Sequence, residues 1–212
     1  MDQNRKKSPE AEAALVWEEV RTEHLVRDRW IDFRKSAYRL PDGSVQEPYY
    51  TYSRRSYAVI VASDEEGRFL CVRQFRYGIG KVTIEFPAGG IDCDGDAEYT
   101  APDALMAKSE DPLTAAKREL LEETGCESDD WEHLLSVPSN ATIADNYAHI
   151  FRARNCRKVS DQHLDESEFL EVEHLTAQEI EDLIKRENFL QAMHILAYML
   201  ARQADARKGQ KD

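Results

Sequence analysis

The longest apolar run in the chain is Tyr57 to Ala62. Its length suits a buried strand and is too short for a membrane span. Asp64-Glu65-Glu66-Gly67 follows as a hairpin turn, and Phe69 to Phe75 returns as the next strand. Lys81-Val82-Thr83-Ile84-Glu85 is strand-like, and residues 146 to 153 and 168 to 174 supply further strands. Upstream, Val16 to Leu40 is rich in aromatic and β-branched residues with alternating charge, interrupted at Arg27-Asp28. Pro41-Asp42-Gly43-Ser44 is a turn signal, and Tyr49-Tyr50-Thr51-Tyr52 resumes an extended pattern. The pattern predicts a small antiparallel β domain over residues 15–56, ahead of a larger domain over 57–203. Residues 1–14 read as a flexible lead and 204–212 as a frayed tail. No internal repeat is visible.

Helix signals are sharper. Asp111-Pro112 is an N-cap acceptor followed by proline at the first helical position, and Gly125 stands where a glycine ends a helix. A helix over 112–124 follows, with Leu113, Ala116 and Leu120 as its apolar stripe and its glutamates expected mainly on the other side. Thr176-x-x-Glu179 is a capping box, and Asn188-x-x-Gln191 is the candidate start of the last helix.

Composition narrows the function classes. The chain has 212 residues, 42% of them apolar, so a full core is available. A formal net charge of −13 argues against nonspecific nucleic-acid binding. It also means that a phosphate ligand needs a cation and local arginines. The four cysteines, Cys71, Cys93, Cys126 and Cys156, contain no C-x-x-C pair, so a disulfide framework or zinc site is not indicated. The first sixteen residues are polar and charged, without a signal-peptide apolar core. The expectation is a cytoplasmic protein that binds neither membrane nor nucleic acid.

The candidate chemistry lies in Arg118-Glu119-Leu120-Leu121-Glu122-Glu123-Thr124-Gly125-Cys126. On a helix, Glu119 faces Glu122 at i+3 and Glu123 at i+4. Two bare carboxylates at about 5.5 Å repel by roughly 3 kcal/mol at an effective dielectric near 20. Such a cluster favours a hard divalent cation such as Mg²⁺, which takes oxygen ligands beside substrate phosphates. Alone, the run also reads as a solvated acidic helix face. Upstream, the strand Lys81–Glu85 leads into Phe86-Pro87-Ala88-Gly89-Gly90. Strand, glycine turn and carboxylate helix make a frame for a metal–diphosphate.

Together these residues resemble the Nudix box: Gly, five residues, Glu, seven residues, then Arg-Glu-apolar-x-Glu-Glu-x-Gly-apolar. Glu110 lies seven residues before Arg118, and Arg118 to Gly125 match without a fault. One departure is clear. Twenty residues separate Gly89 from Glu110 where the box has five, so a loop insertion is expected at about 94–109. The resemblance extends to the ADP-ribose pyrophosphatase branch over roughly residues 17 to 200. Val72-Arg73-Gln74-Phe75-Arg76-Tyr77, Glu85-Phe86-Pro87-Ala88-Gly89, Leu164-Asp165-Glu166-Ser167-Glu168 and the turn Arg39 to Gly43 carry it.

The resemblance implies an α+β Nudix fold, an α/β/α sandwich with a mixed sheet, preceded by the small β domain. It implies Mg²⁺-dependent (or Mn²⁺-dependent) hydrolysis of the diphosphate of ADP-ribose or a related nucleoside-diphosphate sugar. Nucleoside triphosphate hydrolysis and a non-catalytic sensing module are the alternatives. By resemblance, Ala88 (through its carbonyl), Glu119, Glu123 and Glu168 correspond to metal ligands. Glu166 corresponds to the general base, with Asp145 as the alternative base; Glu122, the other catalytic candidate, is close enough to join the metal ligands. Arg76, Arg54 and Arg55 are candidates for the phosphates and terminal ribose, and Glu85 for ribose hydroxyls. Arg118 and Glu110 also read as structural. Trp17, Trp30 and the tyrosines at 49, 50 and 52 are candidates for adenine stacking, core packing or dimer contacts. In the resembled branch the β domain reaches across a homodimer, which gives Arg54 or Arg55 a place at the partner's substrate.

Overall fold

Three strands pair in sequence order at the start of the chain. In the computed structural model, which describes residues 9–92 and 109–208, β1 (Glu18–Arg27), β2 (Asp32–Arg39) and β3 (Val45–Ser53) form an antiparallel sheet of their own. The interruption at Arg27-Asp28 is the first turn. Asp28 Oδ1 accepts the Trp30 and Ile31 amides at 2.7 and 3.0 Å and reverses the chain. The second turn uses Asp42 in the same way on the Ser44 amide, beside Gly43 at φ +85°. A short helix α1 (Pro9–Ala13) precedes the sheet, so the expected lead of 1–14 is not wholly irregular.

The larger unit is a mixed sheet. Its strands are β4 (Tyr57–Asp64), β5 (Phe69–Arg76), β6 (Lys81–Glu85), β7 (Ala88–Gly90), β8 (Cys126–Glu127), β9 (Asp130–Pro138), β10 (Tyr147–Lys158) and β11 (Leu170–Leu175). The main path runs β11-β5-β4-β10-β8, with β6 on β5, β7 on β4 and β9 on β10. The β4–β10 pair is parallel and the others are antiparallel. β4 is central, so both of its faces are buried and it reads as a continuous apolar run.

Alternation along β4 separates two cores. Val59 and Val61 join Phe86, Ile150, Ile180, Phe189 and Tyr198 under the helices α3 (Ala177–Lys185) and α4 (Ala192–Lys208). Ala58, Ile60 and Ala62 join Leu70, Phe151, Ala116 and Leu120 under α2 (Pro112–Thr124). The result is the α+β arrangement that the Nudix resemblance implies, a mixed sheet between helices, with a separate three-stranded sheet. The insertion expected at 94–109 falls, except for Ser109, outside the described residues.

Two boundaries differ from expectation. α4 runs to Lys208, past the start of the expected fray at 204. Arg152, buried on β10, holds that end by bonding Asp205 at 2.8 Å and the Ala201 carbonyl at 3.3 Å. The start of α4 also falls later than Asn188. The Gln191 carbonyl accepts the first helical amides, whereas the Asn188 carbonyl accepts Ile84 N–H at 3.3 Å. Among the described residues, no helix is long and apolar enough to cross a membrane.

Candidate active site

α2 is set by its ends. Asp111 caps the Leu113 and Thr114 amides at 3.1 Å each, and Gly125 closes the helix in the left-handed region at φ +66°. A Cβ at Gly125 would lie 2.1 Å from the Ser160 carbonyl oxygen, so close packing as well as φ requires glycine there. The helix packs Ala116 and Leu120 into the core under the sheet with Leu113 half-buried against them, as the stripe predicts, and Ala115 is buried as well. The glutamates differ from expectation. Glu119 and Glu123 are on the buried side, only 8% and 3% exposed, because one further turn of the same face lies over the Ala88–Gly89 backbone. Glu122 stays at the cleft surface.

Each buried carboxylate has a backbone neighbour. Glu123 accepts the Ala88 N–H at 2.9 Å. Glu119 lies over Gly89 so closely that a Cβ there would sit 2.0 Å from its carboxyl carbon. Arg118 ties the cluster together. It donates to Glu119 at 2.8 Å, Glu122 at 3.0 Å, Glu110 at 2.9 Å and the Gly90 carbonyl at 2.9 Å. Burial pushes the Glu119 carboxyl up to about 7, with Glu122 and Glu168 adding repulsion against the opposing pull of Arg118. Burial likewise holds Glu123 well above the usual carboxylate range, reinforced by Glu119 and Glu168 and opposed by the Ala88 amide.

Crowded, buried carboxylates of this kind fit a divalent cation: oxygen donors only, negative charge in excess, and a glycine cradle that brings backbone against side chain. Among the described residues, no three acidic, His or Cys side chains already stand in ligating geometry. Arg118 accounts for part of this, since it draws Glu119 and Glu122 to its own guanidinium.

The cleft in front of these groups is about 590 Å³ and includes Ala88, Gly89, Arg118, Glu119, Glu122 and Glu168 in its lining. Arg54, Arg55 and Arg76 also line it. The small sheet reaches this cleft within the same chain, because Arg29 and Trp30 of its first turn line the rim. The β domain therefore borders its own chain's cleft, which Arg54 and Arg55 also line. Arg29 is not among the residues that the sequence singles out. Its guanidinium lies 4.5 Å from the centre of the Trp30 ring, and an arginine in a turn gives no sequence signal of this.

Two expectations are corrected. Glu85 is fully buried and takes three hydrogen bonds from Arg76, between 2.6 and 3.1 Å, and another from Thr83. Burial pushes its carboxyl up, but the hydrogen bonds and charge of Arg76 bring it below the usual range. It anchors Arg76 and is closed to a ribose hydroxyl. Asp145 is committed to Arg34 at 3.2 Å and to Ser53, and so joins the small sheet to the loop after β9. It is outside the cleft lining, which removes it as the alternative base. Glu166 is exposed and also outside the lining, whereas Glu168 lies within it.

Trp17 packs with Tyr38 and Tyr49 at ring-centre distances of 6.2 and 5.9 Å, so these aromatics hold the small sheet together. Cys71, Cys126 and Cys156 are buried free thiols, and Cys93 lies outside the described residues.

A model of the NUDIX domain family matches residues 53–194. The chain belongs to the NUDIX family. It is ADP-ribose pyrophosphatase-like among Nudix hydrolases. It is 25% identical to an ADP-ribose pyrophosphatase of Bacillus subtilis (strain 168), over 91% of this chain and 96% of that protein. It is 27% identical to a protein described as a methanol dehydrogenase activator of Bacillus methanolicus, over 89% of this chain and 94% of that one. A solved structure described as an ADP compounds hydrolase superposes with a TM-score of 0.73, over 92% of this chain and 97% of that chain, at 21% identity. That likeness concerns the fold. The Nudix match includes the whole of α2, the Ala88–Gly90 turn and the Glu166–Glu168 loop.

Proposed function

We propose that this Nudix hydrolase uses Mg²⁺, with Mn²⁺ as a substitute, to cleave the diphosphate of ADP-ribose or a related nucleoside-diphosphate sugar. The products are a nucleoside monophosphate and a sugar phosphate. The observation that carries the reading is the pair of buried carboxylates, Glu119 and Glu123, set against Ala88 and Gly89 at the floor of an arginine-lined cleft.

Glu119, Glu123, Glu168 and the Ala88 carbonyl are the proposed cation ligands. A bound cation supplies neutralisation of the diphosphate and acidification of water. Arg76, fixed by Glu85, and Arg54 and Arg55 at the rim orient the anionic substrate in a protein whose net charge of −13 otherwise repels it. Glu122 is proposed to take or relay a proton at the cleft surface. The relative described as an activator of another enzyme keeps a sensing role in view, but an intact carboxylate set favours catalysis. The test is a panel of ADP-ribose, other nucleoside-diphosphate sugars and nucleoside triphosphates, each assayed with Mg²⁺ and with chelator. ADP-ribose should give AMP and ribose 5-phosphate only with metal. Faster cleavage of triphosphates, or full activity in chelator, would replace this reading.

The general base is assigned to the loop carboxylates. Glu166→Gln is expected to lower kcat by about 10²-fold or more with KM little changed. Glu168→Gln should instead raise the Mg²⁺ concentration needed for half-activity. Glu168 already faces the cleft, and its charge is felt at Glu119, Glu123 and Arg76. An unchanged kcat in Glu166→Gln with a large loss in Glu168→Gln would move the base to Glu168.

A twofold homodimer is also proposed. Val16, Trp17, Val20, Leu25 and Val26 are exposed on or beside β1, which is covered by little else. A three-stranded sheet that leaves these apolar side chains exposed is marginal alone, and a second copy would cover them. Sedimentation should give a dimer at micromolar concentration; an active monomer there contradicts the proposal. The buried free thiols support a reducing, cytoplasmic compartment.

A further inference from the structure

Between β6 and β7 the chain turns through Phe86-Pro87, and this turn decides where Ala88 and Gly89 stand. Pro87 has no N–H. Its carbonyl accepts the Ile60 amide at 2.9 Å, and the Ala88 amide is taken by Glu123. The remaining donor of the turn, Phe86 N–H, is buried with its residue and finds no strand partner. It donates to Nδ1 of His194 at 3.1 Å.

His194 is in the first turn of α4, is 3% exposed, and borders the cleft. An Nδ1 that accepts an amide proton belongs to a neutral ring with its proton on Nε2. That Nε2 is 3.9 Å from the Glu85 carboxylate, which holds Arg76 at the cleft. Burial lowers the imidazole pKa to about 4, with Glu85 opposing, which keeps Nδ1 free to accept.

We propose that His194 is a positioning residue for the metal turn: its Nδ1 fixes Phe86, and through it the placement of Ala88 and Gly89 against Glu123 and Glu119. The C-terminal helix, remote in sequence from the box, thereby becomes part of the support of the cation site. The inference rests on the proposed metal-dependent hydrolysis.

The test uses the full chain, Mn²⁺ as probe and ADP-ribose as substrate. His194→Asn keeps an acceptor near the Nδ1 position. His194→Gln carries its polar end near the Nε2 position and leaves Phe86 N–H without a partner. The Gln variant should lose about 10-fold in Mn²⁺ affinity and in kcat, the scale usual for outer-shell partners of a metal site, while the Asn variant stays near wild type. A role in packing alone would lower Tm in both variants and leave the Mn²⁺ affinity of the folded protein unchanged. Wild-type Mn²⁺ affinity in the Gln variant, or equal impairment of the two, overturns the proposal. Should the Gln variant fail to fold, His194→Ala, which also removes the acceptor of the Phe86 N–H, takes its place: a roughly 10-fold weaker Mn²⁺ site beside a wild-type Asn variant supports the proposal, and wild-type affinity in the Ala variant overturns it. Absence of Mn²⁺ binding by the wild type would instead remove the metal reading on which the inference rests.

Discussion

Glu119→Gln and Glu123→Gln are each expected to lower kcat by about 10³-fold, equivalent to roughly 4 kcal/mol of transition-state stabilisation, while the metal-free protein becomes more stable. Both effects have one cause. The two carboxylates are buried beside each other, and their charge is useful only when a cation neutralises it. Without a cation, the folded state holds the Glu119 proton up to about 7, above the ordinary glutamate value of 4.5. A group whose pKa is raised on folding favours the folded state fully at pH below its unfolded value. That stability is lost as pH rises through the folded value. Metal-free stability should therefore fall between about pH 4.5 and pH 7 by an amount on the order of 3 kcal/mol for Glu119 alone, and the raised Glu123 carboxyl acts in the same direction. In chelator, the Tm of Glu119→Gln should exceed that of the wild type above pH 7 and vary less with pH. Adding Mg²⁺ should raise the wild-type Tm and leave the variant little changed. A variant with wild-type kcat, or with the wild-type dependence of Tm on pH, would sink the assignment.

Much of the fold is legible in the sequence where local chemistry and packing agree. The Asp111-Pro112 start and Gly125 end delimit α2 to the residue, because capping is a local interaction. The Thr176–Glu179 capping box is present for the same reason. Strand β9 is not legible. Asp130 to Pro138 lacks strict alternation because a bulge against Ile150 and Phe151 breaks its register, and Trp131 turns to pack on Phe151. The short β7 is equally hidden, since Ala-Gly-Gly carries no strand signal and pairs with β4 only through the tertiary fold. At the site, spacing brings the three glutamates to one region of the helix. It does not tell which of them the sheet will cover. The outward placement expected for Glu119 and Glu123 follows from the usual cost of burying charge, and the structure accepts that cost at the place where the proposed chemistry needs it. Arg76 and Glu85 are on consecutive paired strands, but His194 meets them from a helix far along the chain, and no spacing rule connects it to them.

Gly89→Ala is the second large effect, and Gly90→Ala is its control. The two glycines are neighbours in the same turn, yet their surroundings differ. A methyl group on Gly89 would lie 2.0 Å from the Glu119 carboxyl carbon and 2.1 and 2.2 Å from its oxygens, whereas one on Gly90 would meet nothing within 4 Å. Contacts near 2 Å are far inside van der Waals distance, so something must move. The backbone of Gly89 is held by pairing of β7 with β4, and Gly89 itself is opposite Ala58 in the buried centre of the sheet. The Glu119 side chain is thus the part that yields. Alanine at position 89 would drive that carboxylate away from the cleft floor by more than an ångström. A misplacement of this size in a catalytic group costs about 10²-fold in rate. The expected result for Gly89→Ala is a 10²-fold or greater loss of kcat with a weaker requirement-matched Mn²⁺ site, and a Tm close to wild type because an exposed cleft lies beside the displaced side chain. Gly90→Ala should remain within about twofold of wild type in both measurements, since the added methyl meets nothing within 4 Å and leaves the Gly90 carbonyl bonded to Arg118. Equal loss in the two variants would show that the turn merely dislikes side chains, and a fully active Gly89→Ala would separate Glu119 from the chemistry altogether.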